Sequence, residues 1–434
     1  MKFGRSATPV ATPSAKNDDK TPTVASVPSC SVVEVLNRQG SVPIIELVQT
    51  CIEEAHLLRA SDVHIEPNEH NVRLRLRIDG VLIDKCTFPK TILSEVITRI
   101  KVLAGLRTDE HQAAQDGRFR MITSAGSPID IRVSITPTYY GENAVLRLLA
   151  DHSSHYTLDM LGFSKADQKK IEHAISLPYG MILATGPTGS GKTTSLYTVI
   201  KMLNKNEVSI ITIEDPIEYA VEGITQIQIN PRSGLTFAAG LRSILRQDPN
   251  IIMVGEIRDP ETAGIAVNTA LTGHLLLSTL HTNDAATTLP RLLDMGIDPY
   301  LVSSTVNVAI GQRLVRKICD HCKEAHKVTD AERQSLTLSL PQRLKDQGYQ
   351  IPQAFYKGKG CPKCENTGFS GRIGIYEVLV ASPTVREAIL KQASSVAIKD
   401  IAIAEGMTTM FEDGLRKAAE GKTTIAEVLR TINE

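Results

Sequence analysis

The sequence predicts an α/β protein with two unequal domains, the larger of which is built on a mainly parallel sheet. The chain has 434 residues, too many for one ordinary core. A phosphate-binding motif also stands directly after an apolar run, as it does in α/β folds. Four apolar, mostly β-rich runs, separated by helical or glycine-rich stretches, predict the parallel strands: 181–185, 208–214, 250–256 and 274–280.

The composition excludes several classes of protein. The 48 basic and 48 acidic residues give a formal net charge of +0, which favours neither nucleic acid nor an anionic bilayer as the partner. No stretch reaches the roughly 18 apolar residues of a membrane-spanning helix, and residues 1–28 lack the apolar middle of a signal peptide. We expect a cytoplasmic protein in which residues 1–30 form a disordered tail or a short tether.

Residues 31–150 are predicted to form a small α/β domain. Its helices and strands follow from the periodicity of apolar residues: helices at 44–58 and 90–104, and strands at 63–65, 72–78, 81–83, 117–120 and 130–134. Asp79 and Gly80 form the turn of a β-hairpin between two of these strands. The polar stretch 151–155 is predicted to be a hinge. Ser164 and Asp167 have the spacing of a capping box and predict the start of the first helix of the larger domain.

An arginine stripe occupies one face of the first hairpin strand. Arg73, Arg75 and Arg77 alternate with apolar residues, so their side chains point the same way. The stripe could contact a neighbouring subunit or a nucleotide, and a solvated sheet face explains it too. The pattern alone does not prove a function.

The loop after the first run of the larger domain matches G-x-x-x-x-G-K-[ST] in full. Its glycines let the backbone curl without Cβ clashes, Lys192 reaches the β- and γ-phosphates, and Thr193 offers a hydroxyl to Mg²⁺. A helix-compatible stretch follows, from Thr193 to Leu203. The predicted nucleotide-binding residues are Gly186, Pro187, Thr188, Gly189, Ser190, Gly191, Lys192, Thr193 and Thr194.

Carboxylates end two further predicted strands. Glu214, Asp215 and Glu218 follow residues 208–213, at the strand end where ligands collect in open parallel sheets. They could hold Mg²⁺ through water and orient an attacking water, although acidic residues also serve as plain turn and capping residues. The run 251–256 ends in Glu256, which is the form of a Walker B segment.

Histidines and arginines supply further candidates. His274 precedes the predicted strand at 274–280 and His281 ends it, where a histidine can hydrogen-bond the γ-phosphate and report its loss. A structural histidine bonded to backbone groups is the alternative, more so for His274. Arg242 and Arg246 lie one helical turn apart, so they could point together toward phosphates, across a subunit boundary or into solvent.

Four of the seven cysteines form two Cys-x-x-Cys pairs: Cys319, Cys322, Cys361 and Cys364. Four thiolates close a tetrahedral Zn²⁺ shell with no open position, so the predicted site is structural. A redox dithiol or unliganded cysteines are the alternatives, and His321 is a weaker ligand candidate. Cys30, Cys51 and Cys86 are expected to be ordinary residues.

Four segments together resemble the type II secretion and type IV pilus assembly ATPases, hexameric motors of the secretion-ATPase superfamily: 186–193, 212–218, 248–256 and 272–283. The likeness extends over roughly residues 61–429. It implies a RecA-like P-loop motor domain joined by a hinge to a PAS-like α/β domain. The implied divisions are a PAS-like domain at 31–150, a hinge at 151–160 and a motor domain at 161–434, with a zinc subdomain at about 315–372 and C-terminal helices at about 383–434.

The resemblance also implies roles for individual residues. Glu218 would be the catalytic carboxylate of the family's aspartate box, Glu256 the Walker B glutamate, and His274 and His281 the histidine box. Four arginines match family arginines that reach the nucleotide, two from the amino-terminal domain and two from the motor: Arg118, Arg132, Arg242 and Arg246. The implied cofactors are ATP, Mg²⁺ and Zn²⁺.

The function implied by the resemblance is that of a homohexameric Mg-ATPase, peripheral to the inner membrane, which extrudes pilus or pseudopilus subunits with a membrane platform protein as its partner. The paired cysteines are typically absent from the retraction ATPases of type IV pili. Many assembly ATPases carry a further amino-terminal docking domain, whereas here only about thirty residues of unstructured composition come before the predicted small domain at 31–150. The alternatives are a nucleotide-dependent scaffold and a DNA-translocating ATPase, which the absence of Trp and the 4% aromatic content disfavour.

Overall fold

Two β-sheets dominate the chain, one in each half. The structure is a computed structural model that describes residues 32–38, 41–149, 156–346 and 348–433. The predictions for residues 1–30, for Cys30 and for the polar stretch 151–155 lie outside these ranges. None of the described helices is both long enough and apolar enough to cross a bilayer.

The amino-terminal half builds a six-stranded antiparallel sheet in the order β3-β2-β1-β6-β5-β4. Its elements are α1 (Val32–Leu36), α2 (Ile44–Leu57), β1 (Ala60–Pro67), β2 (Asn71–Ile78), β3 (Val81–Pro89), α3 (Leu93–Ala104), β4 (Gln115–Ile122), β5 (Pro128–Thr138) and β6 (Gly141–Leu149). The predicted Asp-Gly hairpin is present, because Asp79 and Gly80 have φ angles of 51° and 87°, as a tight two-residue turn requires.

This sheet buries one face and exposes the other. In β2 the apolar Val72, Leu74 and Leu76 are buried, whereas the arginines between them are partly exposed. The buried face packs against α2 and α3, whose Ile52 and Ile97 join the same core. Burying each such side chain stabilises the fold by roughly 1.5–3 kcal/mol, so the apolar alternation fixes which face turns inward.

The carboxy-terminal half builds a seven-stranded sheet in the order β15-β12-β7-β11-β10-β8-β9, which confirms the predicted mainly parallel sheet. Only the β12–β15 pair is antiparallel among its described neighbours. The strands of this half are β7 (Gly180–Thr185), β8 (Ile210–Glu214), β9 (Thr225–Gln228), β10 (Ile251–Val254), β11 (Leu275–Leu280), β12 (Val306–Ile318), β13 (Lys323–Lys327), β14 (Ala354–Gly358) and β15 (Phe369–Val380); β13 and β14 form a separate two-stranded sheet, and the other seven form the large one.

Helices cover both faces of this second sheet. The helices of this half, of which α11 and α12 belong to a separate small unit, are α4 (Leu158–Leu161), α5 (Lys165–Ser176), α6 (Lys192–Leu203), α7 (Phe237–Ile244), α8 (Pro260–Leu271), α9 (Thr288–Asp294), α10 (Pro299–Thr305), α11 (Asp330–Ser339), α12 (Gln342–Asp346), α13 (Pro383–Leu390), α14 (Ser395–Ala404), α15 (Met410–Ala419) and α16 (Ile425–Asn433). Along β7, Met181 and Leu183 join one core and Ile182 and Ala184 join the other. Continuous apolar strands are expected where both faces are covered.

A small unit projects from the far end of the long β12–β15 pair. Here α11, α12 and β14 pack through Leu336, Leu344 and Phe355 against Leu415 of α15. The four cysteines of the two Cys-x-x-Cys pairs lie where this unit joins the two long strands. The classification of the amino-terminal half as a PAS-like domain stays a prediction. The assignment of this small unit as a separate zinc subdomain also stays a prediction.

Candidate functional site

The loop between β7 and α6 is the centre of the site. Gly186, Gly189 and Gly191 have φ angles of 145°, 79° and 86°, a region that other residues rarely adopt. A Cβ atom on Gly186 would lie 2.3 Å from the carbonyl oxygen of Gln312 on β12. Gln312 also donates from Nε2 to the carbonyl oxygen of Ser190 at 2.8 Å. The curled shape of the loop therefore depends on its glycines and on the neighbouring strand.

Lys192 begins α6 and reaches back over the loop. Its Nζ donates to the carbonyl oxygens of Gly186 and Pro187 at 2.8 and 3.0 Å. Burial lowers the pKa of Lys192, and the negative charge of Glu256 opposes this shift. Thr193 and Thr194 follow in the first helical turn, where unpaired N–H groups and the positive end of the helix dipole attract anions.

A cavity of about 920 Å³ joins this loop to the predicted carboxylates. Its lining includes Thr188, Gly189, Gly191, Lys192, Thr193, Thr194, Glu214, Asp215, Glu218, Glu256 and His281. The loop and these acidic and histidine groups follow β7, β8, β10 and β11, which run parallel, so the groups meet at one edge of the sheet. The structure thus brings together most of the site residues that the sequence indicated.

Glu256 is 8% exposed and faces the side chains of Arg258 and His281. Its Oε2 accepts a contact of 2.5 Å from Nε of Arg258 and lies 3.2 Å from Nε2 of His281. Arg258 also lines the cavity. No motif in the sequence indicated Arg258, although its position two residues after a strand-end glutamate is a usable signal.

Glu214 and Glu218 differ in their surroundings. Glu214 is buried and accepts hydrogen bonds from the hydroxyls of Tyr197 and Thr212 and from Gln226. Burial raises the pKa of Glu214 although these hydrogen bonds lower it. Glu218 is partly exposed and lies 3.8 Å from Nη1 of Arg132. Glu214 is therefore tied into a hydrogen-bond network, whereas Glu218 is open to the cavity.

The amino-terminal sheet lies against the other side of the cavity. Arg132 on β5 donates from Nη2 to the carbonyl oxygen of Ile217 at 2.6 Å, beside Glu218. Arg118 lies opposite Arg132 on β4 and is exposed, and both arginines fall outside the described cavity lining. Three further arginines line the cavity: Arg77, from the stripe for which the sequence left a nucleotide contact or a solvated face open, and Arg147 and Arg372, which lie outside the motifs that indicated the site.

Three predicted nucleotide contacts lie elsewhere in this chain. His274 stands at the start of β11, with Nδ1 3.2 Å from the carbonyl oxygen of Thr269, at the strand end opposite to His281. Arg242 pairs with Glu261 at 2.8 Å, and Arg246 donates to the carbonyl oxygen of Arg242. Within the described lining of the cavity, His274, Arg242 and Arg246 are absent. Their contact with phosphates stays a prediction.

The two cysteine pairs converge on one point. The four sulfur atoms all lie within 4.8 Å of one another, and Sγ–Sγ distances of 3.8, 3.9 and 3.7 Å join Cys319 to Cys361, Cys322 to Cys364 and Cys361 to Cys364. A Zn–S bond of about 2.3 Å gives a tetrahedron with edges of about 3.8 Å, so the cluster fits Zn²⁺. His321 is outside this group of ligands.

Backbone groups support the thiolate form of Cys364, whereas burial raises the pKa of Cys319 and Cys322. The N–H groups of Cys361 and Gly368 donate to Sγ of Cys364 at 3.2 and 3.3 Å. Although burial raises its pKa, these bonds lower the pKa of Cys364 to about 7. Since a metal binds the deprotonated sulfur, these donors favour metal binding. Cys51 is buried in the amino-terminal core, and burial raises its pKa.

The fold and the site together define a P-loop ATPase. The chain belongs to the type II/IV secretion system protein family, whose sequence profile matches residues 37–430. This confirms the resemblance that the motifs predicted.

Two curated relatives illustrate the likeness. The type IV pilus assembly ATPase PilB of Thermus thermophilus is 47% identical over 388 residues, covering 89% of this chain and 43% of that protein. The type II secretion system protein E of Xanthomonas campestris pv. campestris is 45% identical over 403 residues, covering 93% of this chain and 70% of that protein. The chain thus spans less than half of the Thermus relative.

A solved structure resembles the whole fold. The crystal structure of the pilus retraction motor PilT with bound ADP matches with a TM-score of 0.59 at 25% identity, covering 87% of this chain and 95% of that one. The similarity includes both halves of the chain and supports the RecA-like motor fold.

Proposed function

We propose that the chain is the ATP-hydrolysing subunit of a homohexameric motor that drives the assembly of pilus or pseudopilus subunits at the inner membrane. The observation that carries this proposal is the single cavity that joins Lys192 and Thr193 to Glu218, Glu256 and His281. The two relatives, a pilus assembly ATPase and a type II secretion protein, support the choice of machine.

Binding of the nucleotide would rest on the loop after β7. The N–H groups of the loop and of the first turn of α6 would hold the β- and γ-phosphates, and Lys192 would exchange its carbonyl contacts for phosphate oxygens. Thr193 and Glu256 would hold Mg²⁺, directly or through water. When bound, this ion neutralises charge on the transferred phosphoryl group.

Hydrolysis would proceed by attack of water on the γ-phosphate. Glu218, open to the cavity, would orient that water, while Arg258 and His281 keep the carboxylate of Glu256 in place. Placing a carboxylate and cations before the reaction begins is the main way that such sites lower the barrier. His281 would lose a partner when the γ-phosphate leaves, so it could report the nucleotide state.

The four-thiolate cluster would hold a structural Zn²⁺ that fastens the small unit to β12 and β15. Its presence favours extrusion over retraction, since the paired cysteines resemble those of assembly ATPases. A polytopic platform protein in the inner membrane would receive the stroke. The relatives include both pilus and secretion proteins, so the proposal covers either polymer.

Replacing Glu256 by Gln tests the enzymatic part of this proposal. We expect the variant to bind ATP with near-normal affinity while kcat falls at least about 100-fold, because a neutral amide cannot hold the metal and water in place. Glu222→Gln, an exposed change outside the cavity lining, is the matched control. Normal turnover by Glu256→Gln would remove Glu256 from the mechanism.

Capture of the Glu256→Gln variant with ATP from gently solubilised native membranes tests the choice of machine. Mass spectrometry of the co-purified proteins should find a polytopic platform protein together with pilins or pseudopilins. Nucleic acid and coupling proteins in their place would favour a DNA translocase. Sedimentation of the ATP-bound variant should show a particle of six chains.

A further inference from the structure

A buried glutamine on β12 lies beside the phosphate loop. Gln312 is 1% exposed, although a side-chain amide is costly to bury without hydrogen-bond partners. Its strand is held on both sides, since Gly311 pairs with Thr185 of β7 and Gln312 pairs with Tyr376 of β15. The amide therefore stands on a fixed strand, next to the loop that follows β7.

One end of this amide is bonded to the loop and the other end has no partner. Nε2 of Gln312 donates to the carbonyl oxygen of Ser190 at 2.8 Å. Among the described residues, Oε1 of Gln312 is buried and makes no hydrogen bond. If the amide were turned over, its oxygen would face the carbonyl oxygen of Ser190, and two acceptors would meet. The donor end is therefore assigned, and the acceptor end remains for a second partner.

Ser190 carries a matching donor inside the loop. The residue is 3% exposed, and its Oγ makes no hydrogen bond within the described part of the chain. A Cβ atom on Gly186 would lie 2.8 Å from this Oγ and 2.3 Å from the carbonyl oxygen of Gln312, so the three residues meet at one point. A hydroxyl donor and an amide acceptor, both buried and both unpaired, thus lie on the two sides of one contact.

Nucleotide binding would change the hydrogen bonds inside the loop. Nζ of Lys192 ties the carbonyl oxygens of Gly186 and Pro187 at 2.8 and 3.0 Å. Once Lys192 turns to phosphate oxygens, both carbonyl groups lose this donor, and the loop can settle again around Gly186. The Ser190 hydroxyl lies at that point, and rotation about its side-chain bonds can direct its proton toward the Gln312 amide.

We propose that Gln312 is a positioning residue of the nucleotide site, which holds the phosphate loop by two hydrogen bonds. The first is the bond to the Ser190 carbonyl oxygen, and the second runs from the Ser190 hydroxyl to Oε1 of Gln312 when phosphate is bound. This inference rests on the proposed function, since it assigns a residue to the same site. Gln312 is absent from the described cavity lining, so it acts on the phosphates through the loop. A loop held in its bound shape loses less conformational freedom on binding, which raises the affinity.

Calorimetry with ADP on the full chain tests the first hydrogen bond. Gln312→Met keeps the length of the side chain and removes both hydrogen-bonding ends, so we expect the Kd for ADP to rise about ten-fold. Gln168→Met is the matched control, because Gln168 is also buried and donates from Nε2 to a backbone carbonyl oxygen, that of Phe163, at 2.9 Å, outside the described cavity lining. The control should lower the melting temperature about as much and leave the Kd unchanged. An unchanged Kd in Gln312→Met would overturn the proposal.

A double-mutant cycle with Ser190→Ala tests the second hydrogen bond. In the parent chain Ser190→Ala should raise the Kd for ADP about five-fold, whereas in Gln312→Met it should have no further effect, because the acceptor is already gone. Melting temperatures measured without nucleotide should show no such coupling, since the bond forms only with phosphate. Equal effects of Ser190→Ala on the Kd in both backgrounds would contradict the second hydrogen bond.

Steady-state ATP hydrolysis separates positioning of the loop from a general loss of structure. A partly unfolded variant has a lower kcat and an unchanged KM, because fewer molecules are active. A displaced loop raises KM while kcat stays within about three-fold of the parent, since Glu218 and Glu256 are untouched. A lower kcat with an unchanged KM in Gln312→Met would therefore overturn the proposal. A parent chain that binds ADP but does not hydrolyse ATP would overturn the proposed function instead, and the ADP comparison would still decide the role of Gln312.

Discussion

The two sheets of this protein place their chemistry in different positions. In the parallel sheet, β7 and β11 are buried along their whole length on both faces, so the functional groups follow the strand ends, as Glu256 and His281 do. In the antiparallel sheet, strands such as β2 alternate between buried and partly exposed residues. A sheet covered on both faces can present functional groups only at the ends of its strands, whereas a sheet covered on one face can present a row of side chains on the other face.

The cavity is lined by residues from both halves of the chain. The strand ends of the parallel sheet supply the phosphate loop and carboxylates, and the exposed face of the antiparallel sheet supplies arginines. A further contact joins the halves: the Asp79 carboxylate at the hairpin turn accepts from the N–H of Gly371 at 2.8 Å, next to Arg372. Because both halves wall the site, movement of one against the other would change the cavity.

The largest effect on ATP turnover is expected at the carboxyl ends of the parallel strands, where the phosphate loop lies. Lys192→Ala should reduce ATP turnover by about 1,000-fold or more, because it removes a fixed positive charge from the phosphates. Lys205→Ala, an exposed lysine just beyond the same helix, should keep full activity. Steady-state phosphate release measures both. If Lys192→Ala kept a turnover within ten-fold of the parent, the loop after β7 would not be the phosphate site.

The cysteine cluster should respond next most strongly. Cys361→Ser should lower bound zinc from about one ion per chain to near zero and reduce the melting temperature, because three thiolates leave the tetrahedral shell open. Cys86→Ser, at a partly exposed position in the antiparallel sheet, should retain the zinc. Metal analysis of the purified variants decides this. Equal zinc contents in both variants would contradict a zinc site that depends on Cys361.

The two faces of the antiparallel sheet should differ in stability. Ile131→Ala removes a side chain that is 0% exposed on the core face of β5 and should cost about 3 kcal/mol of the free energy of unfolding. Arg120→Ala, on the outer face of β4, removes an exposed ion pair with Asp130 and should change the stability little. Urea titration compares the two. Similar losses would contradict a sheet with one buried face.

Two ion pairs, one in each half, should differ in their contribution to the free energy of unfolding, and the contribution of the buried pair should depend on pH. Burial raises the pKa of Glu427, but hydrogen bonds from Arg316 and Arg430 lower it from 4.5 to about 2. Because the folded pKa lies below the unfolded one, the stabilisation is present above pH 4.5 and is lost as the pH falls toward 2. Glu427→Gln should therefore cost about 2 kcal/mol at pH 7 and less as the pH falls below 4.5.

The matching pair of the antiparallel sheet is exposed. Arg73 holds Asp84 with two hydrogen bonds, which lower the pKa of Asp84. Solvent screens this pair, so Asp84→Asn should leave the unfolding curve at pH 7 unchanged. A loss as large as that of Glu427→Gln would show that exposure does not separate the two pairs.

Much of the fold could be predicted from local patterns. The apolar periodicity located α2 and α3, the alternation and the Asp79-Gly80 pair located the β2–β3 hairpin, and the strand-loop-helix order located the phosphate loop. The helix start at Ser164 is also confirmed, since its hydroxyl accepts from the N–H of Asp167 at 3.1 Å. Each of these features depends on residues within a few positions of one another.

The contacts of the individual arginines could not be predicted from local sequence patterns. By sequence, Arg73, Arg75 and Arg77 are equivalent members of one stripe, yet only Arg77 of the three lines the described cavity. Arg147 and Arg372 lie outside the motifs that indicated the site. What separates such residues is the partner that each meets across the sheet or across the two halves, and that partner is distant in the chain.

By itself the sequence determined the parallel motor sheet, the phosphate loop, the strand-end carboxylates and the spacing of the four cysteines, because dihedral preferences, side-chain period and ligand spacing act over short distances. The tertiary structure alone decided that Asp62 joins Arg77 to Arg147, that Arg258 reaches Glu256, and that His274 lies far from the loop. Strand order and register set these contacts, and both result from the packing of the whole chain rather than from any single segment.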